Sequence, residues 1–82
     1  METDFSTSIV CNDGRIRKFH FARINSVAIY YHISVFDNAA LVTATLALDE
    51  KGHWKLRETE LPGWFKQAEP DLSDTVELKA GS

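Results

Sequence analysis

The sequence predicts an α+β fold: an antiparallel meander of four to five strands over residues 5–58, covered on one face by a Pro-interrupted C-terminal helix over 61–79. Three observations carry this. Val27, Ile29, Tyr31, Ile33 and Val35 alternate with Ser26, Ala28, Tyr30, His32 and Ser34, a period of two that a helix does not produce. Asn12-Asp13-Gly14 separates two β-prone runs, and an Asp-Gly pair in that setting is a strong hairpin signal. Beyond Glu58 the period changes: Leu61, Phe65, Ala68, Leu72 and Val76 recur every three or four residues, as one apolar stripe of a helix does.

In chain order, residues 5–10 are rich in Thr, Ile, Val and Phe and read as the first strand. Residues 15–24 form the second, with imperfect alternation. Ile16 falls on one face, Phe19 and Phe21 on the other. Either a β-bulge near Arg17-Lys18 restores a common face, or this is a twisted edge strand with mixed faces. Asn25-Ser26 reads as a turn, followed by the alternating third strand. Asp37-Asn38 makes the next turn. Ala40, Val42, Ala44, Leu46 and Leu48 then point one way and Thr43 and Thr45 the other; the β-branched residues favour strand over an Ala-rich helix. The loop Asp49-Glu50-Lys51-Gly52 leads to a short strand carrying Trp54 and Leu56 on one face. Pro62 suits the first position of a helix. Pro70 interrupts the stripe, so the helix is either kinked or split near Glu69. Lys79-Ala80-Gly81-Ser82 is expected to fray.

The expected core is Val27, Ile29, Tyr31, Ile33, Val35, Val42, Ala44, Leu46, Trp54 and Leu56 on the sheet, with Leu61, Phe65, Leu72 and Val76 on the helix. A chain of 82 residues, 44% hydrophobic and 26% charged, suits one small domain over 1–82 and excludes collagen-like and low-complexity classes. A domain of this size buries roughly 60–65% of the surface its unfolded chain exposes, so its large apolar residues are needed in the core.

The same numbers narrow the function. Nine basic against twelve acidic side chains leave a net charge of −3, the wrong sign for a dedicated nucleic-acid binder. The single cysteine, Cys11, excludes an internal disulfide and a Cys-based zinc site. The start Met1-Glu2-Thr3-Asp4 is acidic and lacks the apolar stretch of a signal peptide, and no run approaches membrane-spanning length. A cytoplasmic location is therefore expected. No Gly-rich phosphate loop, His-Glu-x-x-His or calcium-loop pattern is present, so neither cofactor nor metal is expected.

Packing the helix stripe on one sheet face leaves the other open. Tyr30, His32, Ser34 and Phe36 lie on that open face, and two outward aromatics there make an apolar patch unless something covers it. The cover is a protein partner, a second copy of the chain, or the N-terminal segment with Phe5 and Ile9. The expected function is a small non-catalytic protein-interaction module acting through Tyr30, His32, Ser34 and Phe36. One alternative is a nucleic-acid or anion binder using the basic strand Arg15, Arg17, Lys18 and Arg23, with Tyr30 for base stacking. The ordinary role of such charges is to blunt a sheet edge. A second alternative is a small-ligand-binding protein or enzyme centred on His20 or His32. His53 follows a turn, and none of the three histidines has a partner at ligand spacing. Cys11 beside Asp13 reads as a buried structural thiol. Leu61-Pro62-Gly63-Trp64 reads as a helix start anchored by Trp64. Glu58, Glu60, Glu69, Asp71, Asp74 and Glu77 cluster toward the C-terminal part, most of them as the solvated face of the helix, and beside the basic strand they make the charge distribution asymmetric.

Overall fold

The computed structural model describes residues 4–25 and 27–80, without the side chain of Ala80. Met1-Glu2-Thr3, Ser26 and Gly81-Ser82, where parts of the expected acidic start, turn and frayed end fall, lie outside the described residues. Five strands precede two helices: β1 (Asp4–Val10), β2 (Ile16–Asn25), β3 (Ile29–Asp37), β4 (Ala40–Leu48), β5 (Trp54–Leu56), α1 (Gly63–Gln67) and α2 (Glu69–Ala80). The strands form one curled antiparallel sheet in the order β1-β2-β3-β4-β5, the predicted meander.

Local chemistry sets each turn. Between β1 and β2 the Cys11 N–H donates to the Arg15 carbonyl at 2.8 Å, and Gly14, at φ +86°, takes the left-handed conformation that suits glycine. Between β4 and β5 the Asp49 carboxylate accepts the N–H groups of Lys51 and His53, each at 2.9 Å. The β3–β4 connection is one residue later than the sequence predicts. Asp37 pairs with Ala40, so the two-residue turn is Asn38-Ala39, with φ of 49° and 70°. Two positive φ values are those of a type I′ hairpin, where Asn-Gly is the favoured pair. Ala39 therefore carries a left-handed backbone without glycine's freedom, at about 1–2 kcal/mol. Ala39→Gly is expected to gain about 0.5–1 kcal/mol after the greater unfolded-state freedom of glycine is subtracted. The melting temperature should rise by a few degrees; a fall on thermal melting would contradict the strain.

The core lies between the sheet and the helices. Phe5 and Ile9, Phe19 and Phe21, Tyr31, Ile33 and Val35, and Ala44 and Leu46 point inward from successive strands against Phe65, Ala68, Leu72 and Val76. Phe5 stacks on Phe21 at 4.7 Å, Tyr31 meets Phe5 edge-on at 5.8 Å, and Phe65 meets Phe19 edge-on at 5.4 Å. The predicted helix stripe is thus the cover of the sheet. It is split rather than kinked: α1 ends at Gln67 and α2 begins at Glu69 with only Ala68 between them. Pro70 then lies in the first turn of α2, where its missing N–H leaves no helical bond unmade. The Leu72 N–H donates to the Ala68 carbonyl at 2.9 Å, which keeps the stripe in phase across the break. Pro62 is the N-cap residue of α1, one position earlier than predicted, and its carbonyl accepts from Phe65 and Lys66. α2 continues through Lys79 to Ala80, where fraying was expected.

Three core expectations are corrected. β2 has no bulge, since its register with β1 runs unbroken from Val10↔Ile16 to Asp4↔Ala22. It is also an inner strand, not an edge. Ile16 therefore faces outward and Arg17 inward, in line with Phe19 and Phe21. Phe5 and Ile9 belong to the core and do not cover the outer face. Val27 and Ile29 are exposed, because the β2–β3 ladder starts only at Asn25↔Ile29 and the alternation runs past the end of the packed region.

Candidate interaction face

The register places the predicted residues Tyr30, His32, Ser34 and Phe36 together on the outer face of β3. Phe36 and His32 are exposed, and Tyr30 and Ser34 half-buried. Cross-strand pairing arranges the face in rows. Ser6 pairs with His20, His20 with Ser34 and Ser34 with Thr43, giving a band of hydroxyls and one imidazole. On one side of it, Ser8 pairs with Lys18 and Phe36 with Leu41. One step further, Val10 pairs with Ile16. On the other side, Asp4 pairs with Ala22, Ala22 with His32 and His32 with Thr45. Beyond that lie Ile24, Tyr30, Ala47 and Lys55.

The consequence is an apolar end that the sequence reading only partly found. Phe36 is 69% exposed, Ile16 69%, Val10 66% and Leu41 56%. For Ile16 the signal was present in the sequence: counting back by twos from Phe21 and Phe19 reaches Arg17, which leaves Ile16 outside. Between this end and the hydroxyl band runs an open groove of about 450 Å³, lined by Ser6, Lys18, His20, Ser34 and Phe36. A second open groove, of about 630 Å³, lies past Tyr30 at the opposite end, beside Val27, Ala47, Leu48 and Lys55.

The structure does not bring the four basic residues into one patch. Lys18 lies on the outer face, while Arg17 and Arg23 are on the inward register of β2. Arg15 precedes the strand and donates to the Asn38 side chain at 3.4 Å. Arg17 is only 6% exposed and fully engaged. Its Nη1 and Nη2 donate to both carboxylate oxygens of Asp13, at 3.0 and 2.8 Å. Its Nε and Nη2 donate to Asp37 at 3.2 and 3.0 Å. The guanidinium lies 3.9 Å over the Trp64 ring. A planar fork matched to a carboxylate and an aromatic face is the geometry that arginine supports and lysine does not. The Arg17 hydrogen bonds hold the Asp13 carboxyl down to about 2, and Asp13 in turn holds Arg17 above its ordinary value. This cluster ties both hairpin turns on this side of the sheet to α1. It is a structural site rather than an open one.

The remaining candidates are also placed. His20 sits 4.0 Å from the Asp4 carboxylate, while His32 lies diagonal to it on the outer face. His53 is exposed and tied through its backbone to the Asp49 turn. Among the described residues no group of three or more His, Cys, Asp or Glu side chains could hold a metal ion. Cys11 is buried, with its thiol 3.8 Å from the Ile9 carbonyl. Trp64 anchors α1 to the sheet as expected, meeting Phe19 of β2 edge-on at 6.3 Å. Of the acidic tail, Glu58, Glu60, Asp71, Asp74 and Glu77 are exposed. Glu69 instead accepts the Leu56 N–H at 2.9 Å and pairs with Lys55 at 3.7 Å, which closes the β5 edge of the sheet.

No protein-family model, curated protein or solved structure matches the chain. Among the described residues no helix is long and apolar enough to cross a membrane.

Proposed function

We propose that the chain is a small, non-catalytic protein-interaction module that docks a partner through the outer face of its sheet. The observation behind this reading is the exposure of two cross-strand apolar pairs, Phe36 with Leu41 and Val10 with Ile16, in neighbouring rows at one end of a face that neither helix covers. Single exposed apolar residues are normal on any surface, whereas two such pairs at one end of a face support reading it as a contact surface. In a domain this small, four large apolar residues kept out of the core make a substantial share of its apolar material. Lys18 beside Phe36 favours a partner surface with an apolar centre and an acidic group at its rim. A cytoplasmic setting, expected from the single cysteine, is part of the same proposal.

The nucleic-acid alternative is weaker, because Arg17 is committed to Asp13 and Asp37 and the basic residues divide between two faces.

The test is a pull-down from the native cell with the wild type and with the double variant Phe36→Thr, Leu41→Thr. Threonine keeps strand preference, and both positions are exposed, so melting should shift by no more than about 0.5 kcal/mol in stability. Truncating a central aromatic of an interface costs about 2 kcal/mol or more, so captured partner should fall by about 30-fold or more. Equal capture by both proteins would end this reading.

A further inference from the structure

We infer that β1 pairs with β1 of a second copy, antiparallel and centred on Thr7, joining two sheets into one of ten strands. The inference stands on the sheet edge and not on occupancy of the outer face.

β1 and β5 are the two edges of the sheet, and they are built differently. β5 has three residues, and the Glu69 carboxylate occupies its Leu56 N–H. β1 has seven residues in an unbroken ladder, with no proline, lysine or bulge. Those are the devices that keep an edge from pairing. The hydrogen-bond phase decides which groups are free. The Cys11 N–H donates to the Arg15 carbonyl, so the alternation turns the backbone groups of Ile9, Thr7 and Phe5 toward β2. Those of Asp4, Ser6, Ser8 and Val10 then point away from the sheet, and no strand of the described residues meets them.

A second copy suits this edge in one register. With Thr7 opposite Thr7, all seven residues of both strands overlap; any shift leaves residues unpaired at each end. Ser6 meets Ser8 and Asp4 meets Val10, and these outward residues exchange backbone bonds. On the inner face Phe5 meets Ile9 and Thr7 meets Thr7, an aromatic–aliphatic and a Thr–Thr pair of the kind that stabilises a ladder. Asp4 is the only charge on the strand, and the two copies of it end at opposite ends, so no like charges face each other. The pairing is isologous and closes as a dimer.

Light scattering or sedimentation tests it. The edge contact is small, so association is expected between about 1 µM and 1 mM, with mass rising from the 9.3 kDa of one chain toward twice that value. Ser8→Pro removes an outward N–H and no bond to β2, so it should leave a folded monomer at all concentrations. In a Cys11→Ala background, Thr7→Cys should cross-link under mild oxidation, because a non-hydrogen-bonded pair sets the two Cα atoms about 4.5 Å apart. Ser6→Cys, which faces Ser8, should not cross-link to itself. The cross-link decides the matter even if Ser8→Pro does not fold. Monomer mass at every concentration would overturn the inference. So would a dimer that survives Ser8→Pro but is lost in Phe36→Thr, Leu41→Thr, since that places the contact on the outer face.

Discussion

Phe65→Ala is expected to cost the domain about 3–5 kcal/mol, a large part of its stability at room temperature. Phe65 has no exposed surface and meets Phe19 edge-on at 5.4 Å and Trp64 face-on at 5.6 Å. It is the buried residue of α1, a helix of only five residues that cannot persist without its contacts. Truncating a buried Phe costs about 3–5 kcal/mol, from lost burial plus the cavity left behind. A domain of this length has a total stability of about 4–12 kcal/mol. One side chain thus holds about a quarter or more of the margin. Urea unfolding measures it through the midpoint, with the slope expected to stay near wild type. Leu78→Ala is the matched control: it lies on α2 but is 74% exposed, and should change stability by no more than about 0.5 kcal/mol. Similar losses for both variants would mean that the helices do not pack through the stripe as described.

The stripe that makes Phe65 decisive was readable in the sequence, as were the Asp13-Gly14 hairpin and the alternation of β3. These signals are local: a period or a turn residue suffices to place them. The misread positions depended on what lies opposite in space. Strict alternation along β2 puts Arg17 on the core side, which looks wrong for a charge until Asp13, Asp37 and the Trp64 ring are known to surround it. A bulge near Arg17-Lys18 would bring Ile16 to the side of Phe19 and Phe21; the unbroken register places Arg17 there instead. Val27 and Ile29 failed for a related reason: their alternation is sound, but the ladder ends beneath them. Phe5 and Ile9 look free to cover either face in sequence, and only the register Phe5↔Phe21 commits them to the core. The open face was half readable. Tyr30, His32, Ser34 and Phe36 follow from the phase of one strand. Ile16 follows from the phase of β2, and its neighbours Val10 and Leu41 join the patch only once β1 to β4 are in register.

The Arg17 cluster has a pH signature that distinguishes it from surface charge. In the folded chain the Arg17 hydrogen bonds, assisted by the Arg15 backbone N–H, hold Asp13 down to about 2, against an ordinary 3.8. The unfolded chain therefore takes up this proton first as pH falls. The stabilisation from Asp13 is fully present above about pH 4 to 5 and is lost as pH drops toward 2. Thermal melts from pH 7 to pH 2 should show a steep decline below pH 4 for the wild type. Asp13→Asn should melt lower at pH 7, because Arg17 keeps only Asp37 as a charged partner, and should decline less steeply below pH 4. Some slope remains, because the backbone N–H groups of His53 and Lys51 lower Asp49 in the same direction. Arg17→Met separates the charge from the packing. It keeps a flexible chain against Trp64 and removes the cation that depresses Asp13. Replacing every member of an inward ion pair by apolar groups is often neutral, but removing the cation alone leaves the Asp13 and Asp37 carboxylates unpaired. Arg17→Met should therefore melt well below the wild type at pH 7 and share the shallow acid profile, the gap narrowing as Asp13 and Asp37 take up protons toward pH 2. Parallel profiles for all three proteins would mean that the Asp13–Arg17 pair does not set the acid limit of the fold.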